Sequence, residues 1–303
     1  MGLPVIAITV GDPAGIGPEI ARKAAASPRV IACCRPVLYG SWSDDALKAF
    51  PAGTPTAASG ASAHQAIEAA VGDAVSGKVD AVATGPISKE ALAMAGHPWK
   101  GHTELIAHLT GSSRVAMMFW SPRLRVVLAT VHIPLAQVPA ALTASKLRDA
   151  VELSHLELPR FGVPHPRIAV AALNPHAGEN GLIGVEEREV MRPAIDTMRA
   201  EGIDVTGPFP ADTLFVRAAR GEFDVIVASY HDQGLIPVKL LGFGSAVNVT
   251  LGLPIVRTSV DHGTAFDIAG KGEADEGSLV EAVLLAARLA GGPLPPPTHR
   301  IGP

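Results

Sequence analysis

Cysteine is nearly absent from this chain: 303 residues carry two, Cys33 and Cys34, side by side. An adjacent pair supplies neither a disulfide framework nor a metal knuckle, and points to a reducing compartment such as the cytoplasm. There is no excess of basic charge either. Lys and Arg number 25 against 29 Asp and Glu, a net charge of −4, which argues against nucleic acid or an anionic membrane surface as partner. No apolar run reaches membrane-spanning length, because Asp, Arg, His or Lys interrupts each candidate. The opening MGLPVIAITV lacks the basic n-region and cleavage pattern of a signal peptide, and Ile6 stands where myristoylation wants Ser or Thr. Aromatic residues make up 4% against 48% hydrophobic residues, so the expected core is aliphatic. G-x-S-x-G, H-E-x-x-H and the P-loop Lys-Ser/Thr are all missing, and nothing marks paired-carboxylate hydrolysis. What remains is a soluble, cytoplasmic enzyme-sized protein of one large domain or two smaller ones.

Short β-branched runs alternate with helical patterns along the whole length. Expected strands are Val5–Val10, Val79–Ala83, Arg125–Ala129, Arg167–Ala171, Val225–Ser229 and Ile255–Ser259. Expected helices are Ser62–Val75, Ser145–Leu156, Glu186–Ala200 and Ser278–Leu289, with Ser62, Ser145 and Ser278 as N-caps. That alternation predicts an α/β architecture with mostly parallel strands, in which ligands bind beyond the carboxyl ends of strands. The Pro/Gly-rich tail GGPLPPPTHRIGP is expected to be loose.

Polar residues collect at those strand ends, in "ATGPISK", "ATVHIPL", "AALNPHAGE", "ASYHDQG" and "RTSVDHGTA". His132, His176 and His231 lie among them; each alone reads as a capped or core histidine, while the three together suggest an open metal site. Asp212 and Asp232 are available to fix tautomers or take a proton. His102 and Thr103 open a helix, where backbone N–H groups favour an anion. Lys89, Lys239, Asn248 and Arg257 adjoin apolar runs, and Arg257, amid strand residues, needs a partner. In "ITVGDPAGIGPEI", Gly11, Gly15 and Gly17 read G-x-x-x-G-x-G rather than the Rossmann spacing, leaving both an anion cradle and a tight turn open.

As a set, "GDPAGIGPE", "TGPISK", "GHTE", "LNPHAGENG", "GPFPADTLF", "YHDQGLIPVK" and "GFGSAVNVTLGLPIVRTSVDHGTAFDIAGKGEAD" resemble one family over nearly the whole chain, the 4-hydroxythreonine-4-phosphate dehydrogenases of pyridoxine biosynthesis. The last string is also similar to the segment that holds the NAD adenosine in isocitrate and isopropylmalate dehydrogenases. The resemblance implies an isopropylmalate dehydrogenase-like fold of two α/β/α domains, residues 1–122 with 255–303 for NAD and 123–254 for metal, substrate and dimerisation. It implies a homodimer whose partner completes an active site in the interdomain cleft. On matching positions, His132, His176 and His231 become ligands of one divalent ion (zinc, magnesium or cobalt), with His132 and His231 from different subunits. His102, Thr103, Lys239, Asn248 and Arg257 become the substrate set, and Lys239, Asp212 and Asp232 the catalytic one. Gly11, Gly15, His262, Gly263, Asp267 and Gly270 become the NAD set.

The implied reaction oxidises 4-phosphooxy-L-threonine with NAD to a 3-oxo acid that decarboxylates to 3-amino-2-oxopropyl phosphate. Sister groups act on 4-phospho-threonate, 4-phospho-erythronate or a terephthalate cis-dihydrodiol. The last of these lacks the arginine at the position of Arg257, so its retention here favours a phosphorylated substrate. Two departures stand out: "VHIPL" replaces T-H-x-P-L, and the segment between Tyr39 and Ser62 is short. An acyl-phosphate transferase or a non-catalytic sugar-phosphate binding module would need neither NAD nor three histidines.

Overall fold

The computed structural model describes residues 2–41, 43–242 and 244–292; most of the Pro-rich tail lies outside the described residues. Its strands are β1 (Val5–Thr9), β2 (Arg35–Tyr39), β3 (Ala81–Thr84), β4 (Ala116–Trp120), β5 (Arg125–Leu128), β6 (Ile168–Ala171), β7 (Val205–Phe209), β8 (Val225–Ala228), β9 (Val247–Leu251) and β10 (Arg257–Ser259). The described residues fall into two compact units, Met1–Ser113 with Leu253–Pro303, and Arg114–Gly252. The first break therefore comes before β4, earlier in the chain than expected.

In the first unit four parallel strands run in the order β2-β1-β3-β10. β3 is buried along its length and β1 nearly so, which explains their unbroken apolar runs. Helix Gly277–Leu289 packs on β3 and β10, and helix Ala57–Val75 on β1. The vicinal cysteines are free and buried here, and burial pushes the Cys34 thiol up to about 11.

In the second unit the order is β9-β4-β5-β8-β6-β7. β4 is antiparallel to β9 and β5, and the other pairs are parallel. Met117, Phe119, Val126, Leu128, Ala171 and Ile226 from the strands meet Leu214 of helix Ala211–Ala219 and Leu235 and Val238 of helix His231–Gly242. Each fully buried Leu, Ile, Val, Met or Phe side chain of this kind contributes roughly 1.5–3 kcal/mol.

The expected N-caps are corrected. Thr56 and Thr143 cap helices Ala57–Val75 and Ala144–Glu157, accepting from the Ser59 and Lys146 N–H groups at 3.0 and 3.3 Å. Ser59 returns the bond to Thr56, a reciprocal capping box. Ser62 and Ser145 therefore lie inside their helices. Gly60 has the look of punctuation, yet it serves close packing: a Cβ there would sit 2.0 Å from the Ala91 carbonyl oxygen. Helix Gly277–Leu289 follows Glu276, and Ser278 instead donates to the Asp261 carboxylate at 2.9 Å. Over 186–200 a π-helical turn, Glu187–Met191, leads into helix Arg192–Ala200. No helix among the described residues is long and apolar enough to cross a membrane.

Candidate active site

β5 and β8 lie side by side, with Val126 opposite Ile226. The segments leaving their carboxyl ends carry His132, in a loop, and His231, at the start of helix His231–Gly242; their ring centroids are 5.6 Å apart at an interplanar angle of 42°. Both line a cavity of about 240 Å³ together with Thr130, Leu135, Tyr230 and Asp232. His231 Nδ1 sits 2.7 Å from Asp232 Oδ1, which fixes the ring and directs Nε2 to other partners. His132 has φ +50°, an uncommon backbone state for a residue with a Cβ. Two imidazoles at this separation, one held by a carboxylate, suit a borderline divalent ion. One chain already makes them neighbours, so different subunits are not needed to bring these two together.

His176 is presented differently. His176, Ala177, Glu179 and Asn180 all have left-handed φ, from 44° to 57°, with Gly178 among them at 76°. Each non-glycine residue there costs roughly 1–2 kcal/mol, so the turn costs about 4–8 kcal/mol. Its flanks are held in compensation. The Glu187 carboxylate, on a residue only 2% exposed, accepts from the Asn174 backbone N–H at 2.7 Å and from Asn174 Nδ2 at 3.0 Å. Glu186 accepts from Asn174 Nδ2 at 2.7 Å and from the Val185 N–H at 3.0 Å. Hydrogen bonds to charged groups contribute about 1.5–3 kcal/mol each, enough to offset the strain. Among the described residues no three His, Cys, Asp or Glu side chains converge for a metal; His132 and His231 are paired, and His176 is not gathered with them.

Lys239 is exposed on helix His231–Gly242, about 12 Å beyond His231 at 1.5 Å per residue. Asp212 is exposed in the first turn of helix Ala211–Ala219, where it accepts from the Thr213 N–H at 3.0 Å. Asn248 lies half-buried in β9, and its Oδ1 is buried without a hydrogen-bond partner.

The first unit holds the cationic corner. Arg257, at the start of β10, is 2% exposed, and its Nη2 donates to Thr84 Oγ1 at 2.7 Å. Thr84 Oγ1 in turn donates to Ser259 Oγ at 2.9 Å. Burial pushes the guanidinium down to about 9, with Glu104 opposing; it stays charged at neutral pH. His102 opens helix His102–Leu109, with Thr103 next to it. Burial, and then the Arg257 cation, hold its imidazole well below the usual histidine range, against a bond to the Gly85 backbone. His102 is therefore neutral at pH 7, and its buried Nε2 has no hydrogen-bond partner. Buried polar atoms left open in this way fit a site that a ligand completes.

The glycine loop also resolves. Gly11 has φ +75°, and a Cβ on it would stand 2.0 Å from the Pro86 carbonyl oxygen; one on Gly15 would stand 2.8 Å from that of Thr264. The Asp12 and Ile16 N–H groups donate to those same oxygens at 2.9 and 3.0 Å. The loop is thus a close-packed junction with "TGPISK" and "DHGTAF". Beside it a cavity of about 240 Å³ is lined by Pro13, Gly15, Glu19, Arg22, Leu47, Phe50, Ala52 and Gly270. Gly15 and Gly270 line this cavity, whereas Gly11, His262, Gly263 and Asp267 do not. His262 Nδ1 lies 2.9 Å from the Gly263 carbonyl oxygen, and Asp267 sits in the short turn Phe266–Ile268. Leu47, Phe50 and Ala52 escaped the sequence reading, since apolar residues in a short irregular segment carry no signal. Thr84 and Ser259 did carry one, as polar residues closing apolar strands.

Residues 14–286 match the family described as "Pyridoxal phosphate biosynthetic protein PdxA". A 4-hydroxythreonine-4-phosphate dehydrogenase of Geobacter metallireducens is 45% identical, over 95% of this chain and 96% of its own. A D-threonate 4-phosphate dehydrogenase of Cupriavidus necator is 46% identical, over 95% and 98%. The crystal structure of a 4-hydroxythreonine-4-phosphate dehydrogenase from Burkholderia phymatum superposes with a TM-score of 0.82 at 44% identity, covering 95% of this chain and 99% of that one. The α/β fold is shared with isocitrate dehydrogenase-like proteins. By sequence and by fold, this chain belongs to the PdxA family of dehydrogenases, which act on a CH–OH group.

Proposed function

We propose that this dehydrogenase oxidises 4-phosphooxy-L-threonine with NAD, and that the product decarboxylates to 3-amino-2-oxopropyl phosphate in pyridoxal phosphate biosynthesis. The observation that carries the reading is the corner of Arg257, Thr84 and His102: a buried guanidinium and an imidazole kept neutral, both suited to a substrate phosphate. His132 and His231, joined by His176, would hold a divalent ion whose Lewis acidity would act on the hydroxyl and carbonyl oxygens, and NAD, when bound, would supply the hydride acceptor. Arg257 binds the phosphate through its planar fork, and the N–H groups opening helix His102–Leu109 add donors to it. Asn248 Oδ1 accepts from the substrate. Asp232 keeps His231 in one tautomer. Lys239 and Asp212 handle the two protons, one leaving the hydroxyl and one returning to carbon after carbon dioxide departs.

The cavity beside Gly15 and Gly270 would hold the adenosine of NAD. A second copy completes the site as a cytoplasmic homodimer, which the exposed apolar side chains of Leu182 (88%), Ile236 (65%) and Leu240 (82%) in the second unit support. A second reading, oxidation of D-threonate 4-phosphate, is favoured by the Cupriavidus necator relative and uses the same phosphate corner. The test is a substrate panel of both phosphates and a dihydrodiol, followed by reduced-nicotinamide absorbance before and after chelation and metal return. Turnover of the threonine phosphate, lost on chelation and restored by metal, supports the proposal. Turnover of the dihydrodiol alone overturns it.

A further inference from the structure

The left-handed turn Pro175–Gly181 and the buried carboxylate beside it point to a role that the histidine loops alone do not assign. We propose that Glu187 is a positioning residue for His176, with Asn174 as its relay, and that together they clamp the turn in its left-handed state. This inference rests on the reading of His176 as a metal ligand. Glu187 sits in the first turn of the π-helical segment Glu187–Met191 and is 2% exposed. A carboxylate so buried is retained where it is bonded. It accepts both from the backbone and from the side chain of Asn174, two residues before His176. Both bonds thus go to the residue that enters the turn. The Asn174 amide is shared with Glu186, which ties down Val185 on the far side of the turn. A Cβ on Gly178, itself left-handed, would stand 2.7 Å from Glu187 Oε2, so the carboxylate also borders the inner face of the turn. Two backbone bonds close the segment, from the Ile183 N–H to the Gly178 carbonyl at 3.1 Å and from the Leu182 N–H to that of Glu179 at 3.3 Å. A π-helical turn at this point agrees with its frequent use at functional sites.

The consequence is specific. Glu187→Gln keeps the size of the side chain but loses the charge and turns one acceptor into a donor facing the Asn174 N–H groups. The turn then relaxes and His176 loses its fixed stance. The experiment uses the full-length protein, cobalt(II) as the probe, its visible absorption bands as the signature, and a chromophoric chelator for affinity. Hydrogen exchange on the same samples reports the segment 174–185. Glu187→Gln is expected to weaken cobalt binding by roughly 10–100-fold, the usual effect of losing a partner that orients a ligand, to alter the bands, and to speed exchange in 174–185 only. Adding Glu179→Gly, which removes one left-handed penalty, is expected to recover part of the affinity in the Glu187→Gln background.

His176→Ala is the control on the underlying reading. If it binds cobalt as tightly as the wild type, the metal reading fails, and this role for Glu187 with it. If His176→Ala loses cobalt while Glu187→Gln keeps wild-type affinity and bands, only the positioning proposal is overturned. Faster exchange throughout the second unit in Glu187→Gln, with no recovery from Glu179→Gly, overturns it as well, because Glu187 is then a general support of the fold.

Discussion

Arg257 and His176 stand at opposite extremes of one molecule. Arg257 is 2% exposed within a parallel sheet and bonded to a threonine hydroxyl. His176 is exposed, on backbone that L-residues avoid. The first region gains selectivity by removing water, so that charge in the ligand is worth more there than in solvent. The second removes conformational freedom, so that the ring carried on the turn has few places to go. One is built from strand and burial, the other from turn geometry and a clamp. Each should fail in its own way.

The largest expected effect is on the histidine side. On the proposed metal reading, His231→Ala should lower kcat/KM by roughly 4 kcal/mol or more, since a catalytic metal is worth several kcal/mol and would lose both a ligand and its carboxylate-held orientation. Steady-state kinetics with excess divalent metal checks this; an activity restored by metal alone would break the comparison. Next comes the cationic corner. Arg257→Lys should cost about 1.5–3 kcal/mol in kcat/KM, chiefly through KM, because charge survives but the fork does not. Its melting temperature should change little, as Thr84 keeps its bond to Ser259. A large loss of melting temperature at unchanged KM would make the arginine structural.

A third test sharpens the role of burial through pH. The His102 imidazole titrates lower in the folded chain than in the unfolded one, and so does that of His64, held down by burial and by His97 stacked 3.6 Å away. As pH falls through about 6.5 the unfolded chain takes up these protons first, so stability is lost below that value and flat above it. The slope should approach about 1.4 kcal/mol per pH unit for each histidine. Denaturant unfolding between pH 5 and 7.5 should find a shallower slope in His102→Gln. The smallest effect separates the two units by their helix caps. Thr56→Ala, which breaks a reciprocal capping box, should cost about 1 kcal/mol, and Thr143→Ala, which removes one longer bond, clearly less; chemical denaturation ranks them.

Much of the architecture was legible in the sequence because it depends on local pattern. β1, β3, β5, β6 and β8 are short, mostly apolar runs, β10 closes the apolar run that begins at Ile255, and each lies within or beside the run expected for it. The missed strands each violate that pattern. β2 carries Pro36 and forms the edge of the first unit's order, where a missing N–H is tolerated. β4 reads AMMFW, buried throughout but without β-branched residues. β7 contains Gly207 and Pro208, and β9 interrupts its valines with Asn248 and Thr250. The site divides along the same line. The histidines, Arg257 and the glycine loop announce themselves by residue type, and the pairing of His132 with His231 follows from adjacent parallel strands. Glu187 was invisible as a clamp, because burial of a carboxylate beside a left-handed turn leaves no periodic trace. Ser62 misled for a related reason: a serine inside a helix carries the same residue signal as one that caps it.

The buried cysteines bear on how this protein can be handled in the laboratory. With both thiols enclosed and Cys34 held to about 11, neither offers appreciable thiolate to an alkylating reagent at neutral pH. A cysteine introduced at exposed Val75, at the end of helix Ala57–Val75, would then be the one that reacts. Fluorophores or spin labels can therefore be attached in the native background, without first rebuilding the chain to remove its own sulfur.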